Sequence, residues 1–82
     1  MIVKAKICEN TIRHDDTIDT ASVTPRQMFE KWDVNYEGKQ ANLNGETIFG
    51  DDLDKTLDEL SDEIDPSKTM YLGVISKHDN AR

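Results

Sequence analysis

The six residues from 23 to 28, Val-Thr-Pro-Arg-Gln-Met, constrain the fold most, because they fix where a helix begins. Thr24 suits the N-cap, and Pro25 suits the first helical position, where no backbone N–H is needed. Gln27 follows Thr24 by three residues and completes a capping box. The chain is therefore predicted to turn helical at Pro25. The buried face of this helix is expected to carry Met28, Phe29 and Trp32.

Patterns typical of strands lie on both sides of this helix. In residues 1–7, apolar Val3, Ala5 and Ile7 alternate with lysines, which predicts a half-buried strand. A reversal over residues 8–11 and a short antiparallel partner over 11–14 are expected to follow. Residues 15–22 are polar and are interpreted as a connection. The first third of the sequence therefore predicts a hairpin.

A second hairpin is predicted around Asn44-Gly45, since both central residues of a two-residue turn need positive φ angles. In that register Leu43 pairs with Glu46 and Ala41 pairs with Ile48. Residues 70–76 then form a closing strand whose inward-facing positions are Met70, Leu72 and Val74.

Between the second hairpin and the closing strand lies an acidic segment, residues 51–65. It holds eight acids and one base, so its charge of −7 equals the formal net charge of the chain. Its apolar residues recur at helical spacing, and Pro66 would end such a helix. The sequence thus predicts a second, acidic helix. Its apolar stripe consists of Leu53, Leu57, Leu60 and Ile64.

This order of elements resembles the ubiquitin-like β-grasp superfamily over residues 1–76. The resemblance rests on the opening strand, the helix from Thr24, the Gln40–Phe49 hairpin and the closing strand. It implies an α+β fold with a mixed four- to five-stranded sheet, packed by one main helix, in which the first and last strands are parallel neighbours. One domain over 1–76 and a flexible tail over 77–82 are expected. More narrowly, the chain resembles small β-grasp proteins carried by mobile elements of Gram-positive gut bacteria.

The resemblance also suggests what the chain does. Ubiquitin and the related sulfur carriers act through a C-terminal Gly-Gly, whereas this sequence ends in Lys-His-Asp-Asn-Ala-Arg. A sulfur carrier or protein modifier is therefore kept only as an alternative. Ubiquitin also recruits receptors through an apolar patch on its sheet. The corresponding outward positions here are Asn42, Tyr71 and Gly73, and only Tyr71 and Ile75 can supply apolar contacts, so most of that patch is missing. The resemblance implies a protein-interaction module, and its sheet surface would use Asn42, Tyr71 and Ile75.

The acidic segment is the second candidate surface, represented by Asp52, Asp58 and Asp62. A protein of negative charge is repelled by nucleic-acid phosphates and anionic membranes, so neither is an expected direct partner. A protein partner is expected instead, and a basic one would complement the acidic segment. A further alternative is an acidic decoy that occupies a nucleic-acid-binding protein. The sequence does not determine the oligomeric state.

No residue pattern in the chain indicates catalysis, a metal or a cofactor. Cys8 has no predictable base beside it, and the acids around His14, from Asp15 to Asp19, lack the glycine-centred spacing of a calcium loop. We therefore expect a non-enzymatic protein with no cofactor. One cysteine and no apolar secretory segment favour a cytoplasmic location.

Overall fold

Two hairpins and a closing strand, separated by short helices, make up residues 1–76, which the computed structural model describes. The predicted tail at 77–82 lies outside the described residues. In chain order the elements are β1 (Ile2–Glu9), β2 (Ile12–Asp19), α1 (Pro25–Lys31), β3 (Lys39–Leu43), β4 (Glu46–Ile48), a 3-10 helix (Gly50–Asp54), α2 (Leu57–Leu60) and β5 (Met70–Ser76).

The five strands form one mixed sheet in the order β2-β1-β5-β3-β4. β5 is parallel to β1 and antiparallel to β3, so it joins the two hairpins at the centre of the sheet. The α+β β-grasp architecture predicted from the sequence is confirmed, including the adjacent first and last strands. No helix within residues 1–76 has the length and apolar character needed to cross a membrane.

Turn residues fix the register of the second hairpin. Asn44 and Gly45 have φ angles of 50° and 88°, which a two-residue β-turn of this hand requires. Leu43 accordingly pairs with Glu46 and Ala41 with Ile48, as predicted.

The first hairpin is longer than predicted. β2 continues from Ile12 to Asp19, so the interpretation of residues 15–19 as a loop is wrong. The strand lies at the edge of the sheet, where a polar sequence costs little because much of it faces water. Ile18, at 5% exposure, is its one buried apolar side chain.

α1 begins as predicted, with both hydrogen bonds of the capping box present. The Gln27 backbone N–H donates to Thr24 Oγ1 at 3.2 Å, and the Thr24 backbone N–H donates to Gln27 Oε1 at 3.0 Å. Met28 and Phe29 are buried against the sheet. Trp32 caps the C-terminal end of the helix and is only partly buried, so it lies at the margin of the core.

The core fills the space between α1 and the inner side of the sheet. Apolar residues from all five strands contribute, because the inward-facing positions of the sheet come together under the helix. Its fully inaccessible members are Ile7, Phe29, Leu57 and Leu72.

The second short acidic helix is present as α2, but the acidic segment does not form one continuous helix along its apolar stripe. Lys55 has extended backbone angles and separates the 3-10 helix from α2. Thr56 then starts α2 with a capping box of its own, completed by Glu59, and Ser61 ends it after one turn. Leu53, Leu57 and Ile64 are nevertheless buried. The apolar spacing therefore predicted burial correctly, whereas local capping set the helix boundaries.

α2 is attached to the end of the first hairpin through Thr20, the one buried polar residue of the described chain. The Thr20 hydroxyl donates to Asp58 Oδ1 at 2.7 Å, and its carbonyl accepts from the Asp58 N–H at 3.0 Å. A second bond joins the Leu57 N–H to the Val23 carbonyl at 3.1 Å. These contacts place α2 beside the start of α1.

Candidate protein-interaction surface

One side of the sheet is covered by α1 and the other is open. Residues directly opposite one another in neighbouring strands point to the same side, so the registers define the open side. We call it the outer sheet face. It includes Ile2, Lys4, Lys6, Cys8, Arg13, Asp15, Thr17, Asp19, Gln40, Asn42, Thr47, Tyr71, Gly73 and Ile75.

Two large side chains of β5 stand at the centre of this face. Tyr71 is 45% exposed and Ile75 is 49% exposed. Gly73 lies between them and has no side chain, so we call the gap between the Tyr71 and Ile75 side chains the notch. Cys8 of β1 is the residue paired with Gly73. A Cβ atom at Gly73 would lie 2.9 Å from the Cβ of Cys8, so the two strands leave no room for a side chain. Asn42 borders the notch from β3 and is half-buried.

The backbone of Tyr71 is held by the turn of the second hairpin. The Asn44 N–H donates to the Tyr71 carbonyl at 2.7 Å, and the Tyr71 N–H donates to Asn44 Oδ1 at 2.8 Å. Asn44 thus has two functions, since its positive φ angle also makes the turn. The sequence indicated the turn but not this contact with β5. The two bonds fix the position from which the Tyr71 ring projects.

Charged and polar groups surround the notch. Lys6 forms an ion pair with Asp15 across β1 and β2. The hydrogen bond to Asp15 and its charge raise the pKa of Lys6 above its ordinary value. On the other side, Gln40 Nε2 donates to Thr47 Oγ1 at 2.9 Å. The face therefore combines an apolar centre with a polar margin, the anatomy of a protein contact surface.

Cys8, the one cysteine of the sequence, lies on this face. Cys8 is half-buried, and its Sγ lies 3.7 Å from the Lys6 carbonyl oxygen. Among the described residues no three His, Cys, Asp or Glu side chains come together as a metal site. What the arrangement offers chemically is contact area and hydrogen bonds.

The candidate residues of the acidic segment are dispersed among internal contacts. Asp52 accepts from the Phe49 backbone N–H at 3.1 Å, and this bond, together with Lys55, lowers the pKa of Asp52. Asp58 accepts from the Thr20 hydroxyl. Asp62 is exposed. Two of the three carboxylates thus have structural partners. Those of Asp52 are local, three residues away on either side. The Thr20–Asp58 contact joins residues 38 positions apart, so sequence reasoning missed it because only the fold brings them together.

A separate cluster surrounds Asp16, on the inner side of β2 beyond the core. Asp16 Oδ2 accepts from Lys31 Nζ at 2.8 Å and from Trp32 Nε1 at 2.9 Å, while His14 stacks on the Trp32 ring at 4.7 Å between centroids. Partial burial pushes the pKa of Asp16 upward. The hydrogen bonds from Lys31, Trp32 and Thr17 outweigh that effect and hold the pKa below its usual range.

The Asp16 contacts predict that the free energy of unfolding depends on pH. Because the folded-state pKa is lowered, the carboxylate stabilises the fold above its unfolded-state pKa of about 4, and this contribution is lost as the pH falls through the folded-state value. We expect Asp16→Asn to lower the free energy of unfolding by about 1 kcal/mol at pH 7. Urea denaturation at pH 7 and at pH 3 should show the difference between variant and wild type shrinking. An equal difference at both pH values would contradict the assignment.

The fold defined by these elements is the ubiquitin-like β-grasp. Among solved structures, the chain is similar to a ubiquitin-like protein from Trypanosoma brucei, with a TM-score of 0.63 and 14% sequence identity. The match covers 94% of this chain and 96% of the other. No protein-family model and no curated protein matches the sequence. At this identity the likeness establishes the fold.

Proposed function

We propose that this protein is a non-enzymatic interaction module that binds a protein partner through the outer sheet face. The observation that carries the proposal is the exposure of Tyr71 and Ile75 on either side of the Gly73 notch. Aromatic side chains that project from a rigid strand are common anchors of protein interfaces, because they add large contact area at a small loss of conformational freedom. Ubiquitin-like domains offer the precedent for recognition by a sheet.

The charges around the notch indicate which kind of partner surface would be complementary. Lys4, Lys6 and Arg13 lie on the outer sheet face, where Asp15 is paired with Lys6. A partner surface with an apolar residue for the notch and acidic residues at its margin is therefore complementary. The basic partner expected from composition fits the acidic segment instead, and it stays a prediction for that segment.

Affinity capture with matched variants tests the proposal. The bait variant Tyr71→Ala/Ile75→Ser removes both anchors, and Ile12→Ala removes an exposed apolar residue from the opposite side of the sheet. We expect proteins retained by wild type to be retained by Ile12→Ala and lost from the double variant. A candidate found in this way is purified, and its direct binding is measured by calorimetry, with a loss of at least about tenfold expected for the double variant.

The acidic segment needs a different control, since Asp52 and Asp58 have structural partners. Asp62→Lys/Glu63→Lys reverses charge at two exposed positions instead. If this variant loses the retained proteins while Tyr71→Ala/Ile75→Ser keeps them, the outer sheet face is not the binding surface. If both variants still retain the bound proteins, neither surface is the binding surface.

Two alternatives belong to other functional classes. A sulfur carrier or modifier shares the β-grasp fold but needs a terminal Gly-Gly, and no two of the four glycines in the sequence are adjacent. Mass spectrometry of the native protein tests this alternative, and a mature chain ending at Arg82 would rule it out. An acidic decoy has less support, because Asp52, Asp54 and Asp58 engage Lys55, Arg26 and Thr20 within the molecule.

The proposed setting follows from the sequence resemblance. We propose a cytoplasmic protein that serves as an accessory factor of a bacterial mobile element. The genes beside its own provide the test: conjugation or DNA-processing genes would support this setting, whereas a gene for an activating enzyme would favour the carrier alternative.

A further inference from the structure

The two edge strands of the sheet, β4 and β2, differ in length. β4 is three residues long and leads directly into the 3-10 helix. β2 is eight residues long and pairs only with β1, so one side of its backbone faces outward. A long edge strand of this kind can add a further strand through its unpaired N–H and C=O groups.

Observed hydrogen bonds show which backbone groups of β2 face outward. The Thr20 N–H donates to the Met1 carbonyl at 2.9 Å, and that pair continues the register in which Ile18 lies opposite Val3. In an antiparallel ladder the residues that bond to the neighbour alternate with residues that do not. The even-numbered residues of β2 therefore bond to β1, and the odd-numbered residues point to the open edge.

Part of this open edge is already occupied. The Thr17 N–H donates to Asp16 Oδ1 at 2.8 Å. The edge N–H groups of Arg13 and Asp15 remain, and residues 1–76 supply no acceptor for either in the hydrogen bonds of the fold. The available edge is thus a short segment centred on His14.

We propose that two copies of this chain associate by antiparallel pairing of their β2 strands about His14, forming a continuous ten-stranded sheet. In this register Arg13 of each copy lies opposite Asp15 of the other, so all four available N–H groups find carbonyl acceptors. The two cross-strand pairs also bring opposite charges together on the outer side of the sheet. The register shifted by one residue in each strand would place Asp15 opposite Asp15 and would need the occupied N–H of Thr17.

An exposed apolar residue supports pairing of two copies at the same edge. Ile12 is 55% exposed, and in this register it falls at each end of the paired region, opposite Asp16 of the other copy. Pairing would shield it from water. Because the contact comprises four backbone hydrogen bonds and two ion pairs, we expect weak association, with a Kd of about 0.1–1 mM.

Charge exchange between two variants tests the register. Arg13→Asp gives an edge with two acids, and Asp15→Arg gives an edge with two bases. Each variant should be monomeric by sedimentation equilibrium at concentrations where wild type associates. An equimolar mixture should associate again, at least about tenfold more tightly than either variant, since both aspartates of the first variant then lie opposite arginines of the second. Lys4→Asp and Asp62→Arg make the same charge changes away from β2 and should behave as wild type.

Nuclear magnetic resonance of the wild-type protein gives a second measurement that needs no variant. On concentration from about 0.05 to 1 mM, the amide signals of Arg13 and Asp15 should shift, whereas those of β4 should not. Wild type that stays monomeric at about 1 mM overturns the proposal. So do folded single variants that associate like wild type, or a mixture of the two variants that stays monomeric.

Discussion

Replacing Phe29 by Ala should lower the free energy of unfolding by about 3–5 kcal/mol, the range for deleting a buried aromatic side chain. Phe29 is fully inaccessible and lies where α1 meets the sheet, with its ring 5.5 Å from that of Tyr36. A domain of this size has a total stability near the lower end of about 5–15 kcal/mol. The variant is therefore expected to be largely unfolded at 37 °C.

The same substitution at Phe49 is the matched control. Phe49 is 71% exposed, so Phe49→Ala should change the free energy of unfolding by less than about 0.5 kcal/mol. Urea denaturation monitored by the fluorescence of Trp32, the one tryptophan, measures both variants. A similar small loss for the two would show that Phe29 does not organise the core.

Replacing Gly73 by Val should destabilise the fold by about 3 kcal/mol, at the upper end of the cost of overpacking. Strand propensity predicts the opposite, because Val favours strands and Gly weakens them. The close approach of β1 makes the substitution destabilising, because a Cβ at residue 73 would lie 2.9 Å from Cys8 Cβ and 3.0 Å from the Cys8 carbonyl oxygen. Neither atom can move without shifting the β1–β5 ladder.

Two controls isolate this contact. Gly50→Ala adds a methyl group at a glycine that has nothing within 4 Å of the new Cβ, so it should cost less than about 0.5 kcal/mol. Cys8→Gly removes one of the two clashing atoms, and a double-mutant cycle should show that Gly73→Val costs at least about 1 kcal/mol less in that background. Additive effects would mean that the crowding arises elsewhere.

Local signals made much of the fold predictable. The capping box at Thr24 and the Asn44-Gly45 turn depend on residues within a few positions of each other, and both appear as expected. The alternation in residues 1–7 and 70–76 defined the inner side of the sheet. Together these signals determined the order of the elements, and the order left few ways to close a sheet.

The predictions failed where partners far apart in the sequence compensate a locally unfavourable pattern. Asp16 is tolerated in β2 because Lys31 and Trp32 donate to its carboxylate. In the acidic segment, periodicity predicted one helix, yet the capping box of Thr56 begins a new one within the same apolar stripe. That stripe is buried as predicted, but the periodicity carries no information about where a cap interrupts it.

The candidate surface was predictable only in part. Alternation along β5 was sufficient to place Tyr71 and Ile75 on the outer sheet face. The notch at Gly73 and the two bonds from Asn44 depend on how neighbouring strands approach, which no property of β5 alone reveals. The backbone N–H groups of Arg13 and Asp15 can be assigned to the open edge only from the alternation of hydrogen-bonded pairs between β1 and β2.

The central position of β5 has a consequence for synthesis in the cell. The strand that both hairpins require is made after them, so each hairpin waits with its apolar side uncovered until residues 70–76 have left the ribosome. A nascent chain stalled before Met70 should be held by chaperones or degraded, and completion of one short segment should convert it into a protease-resistant domain.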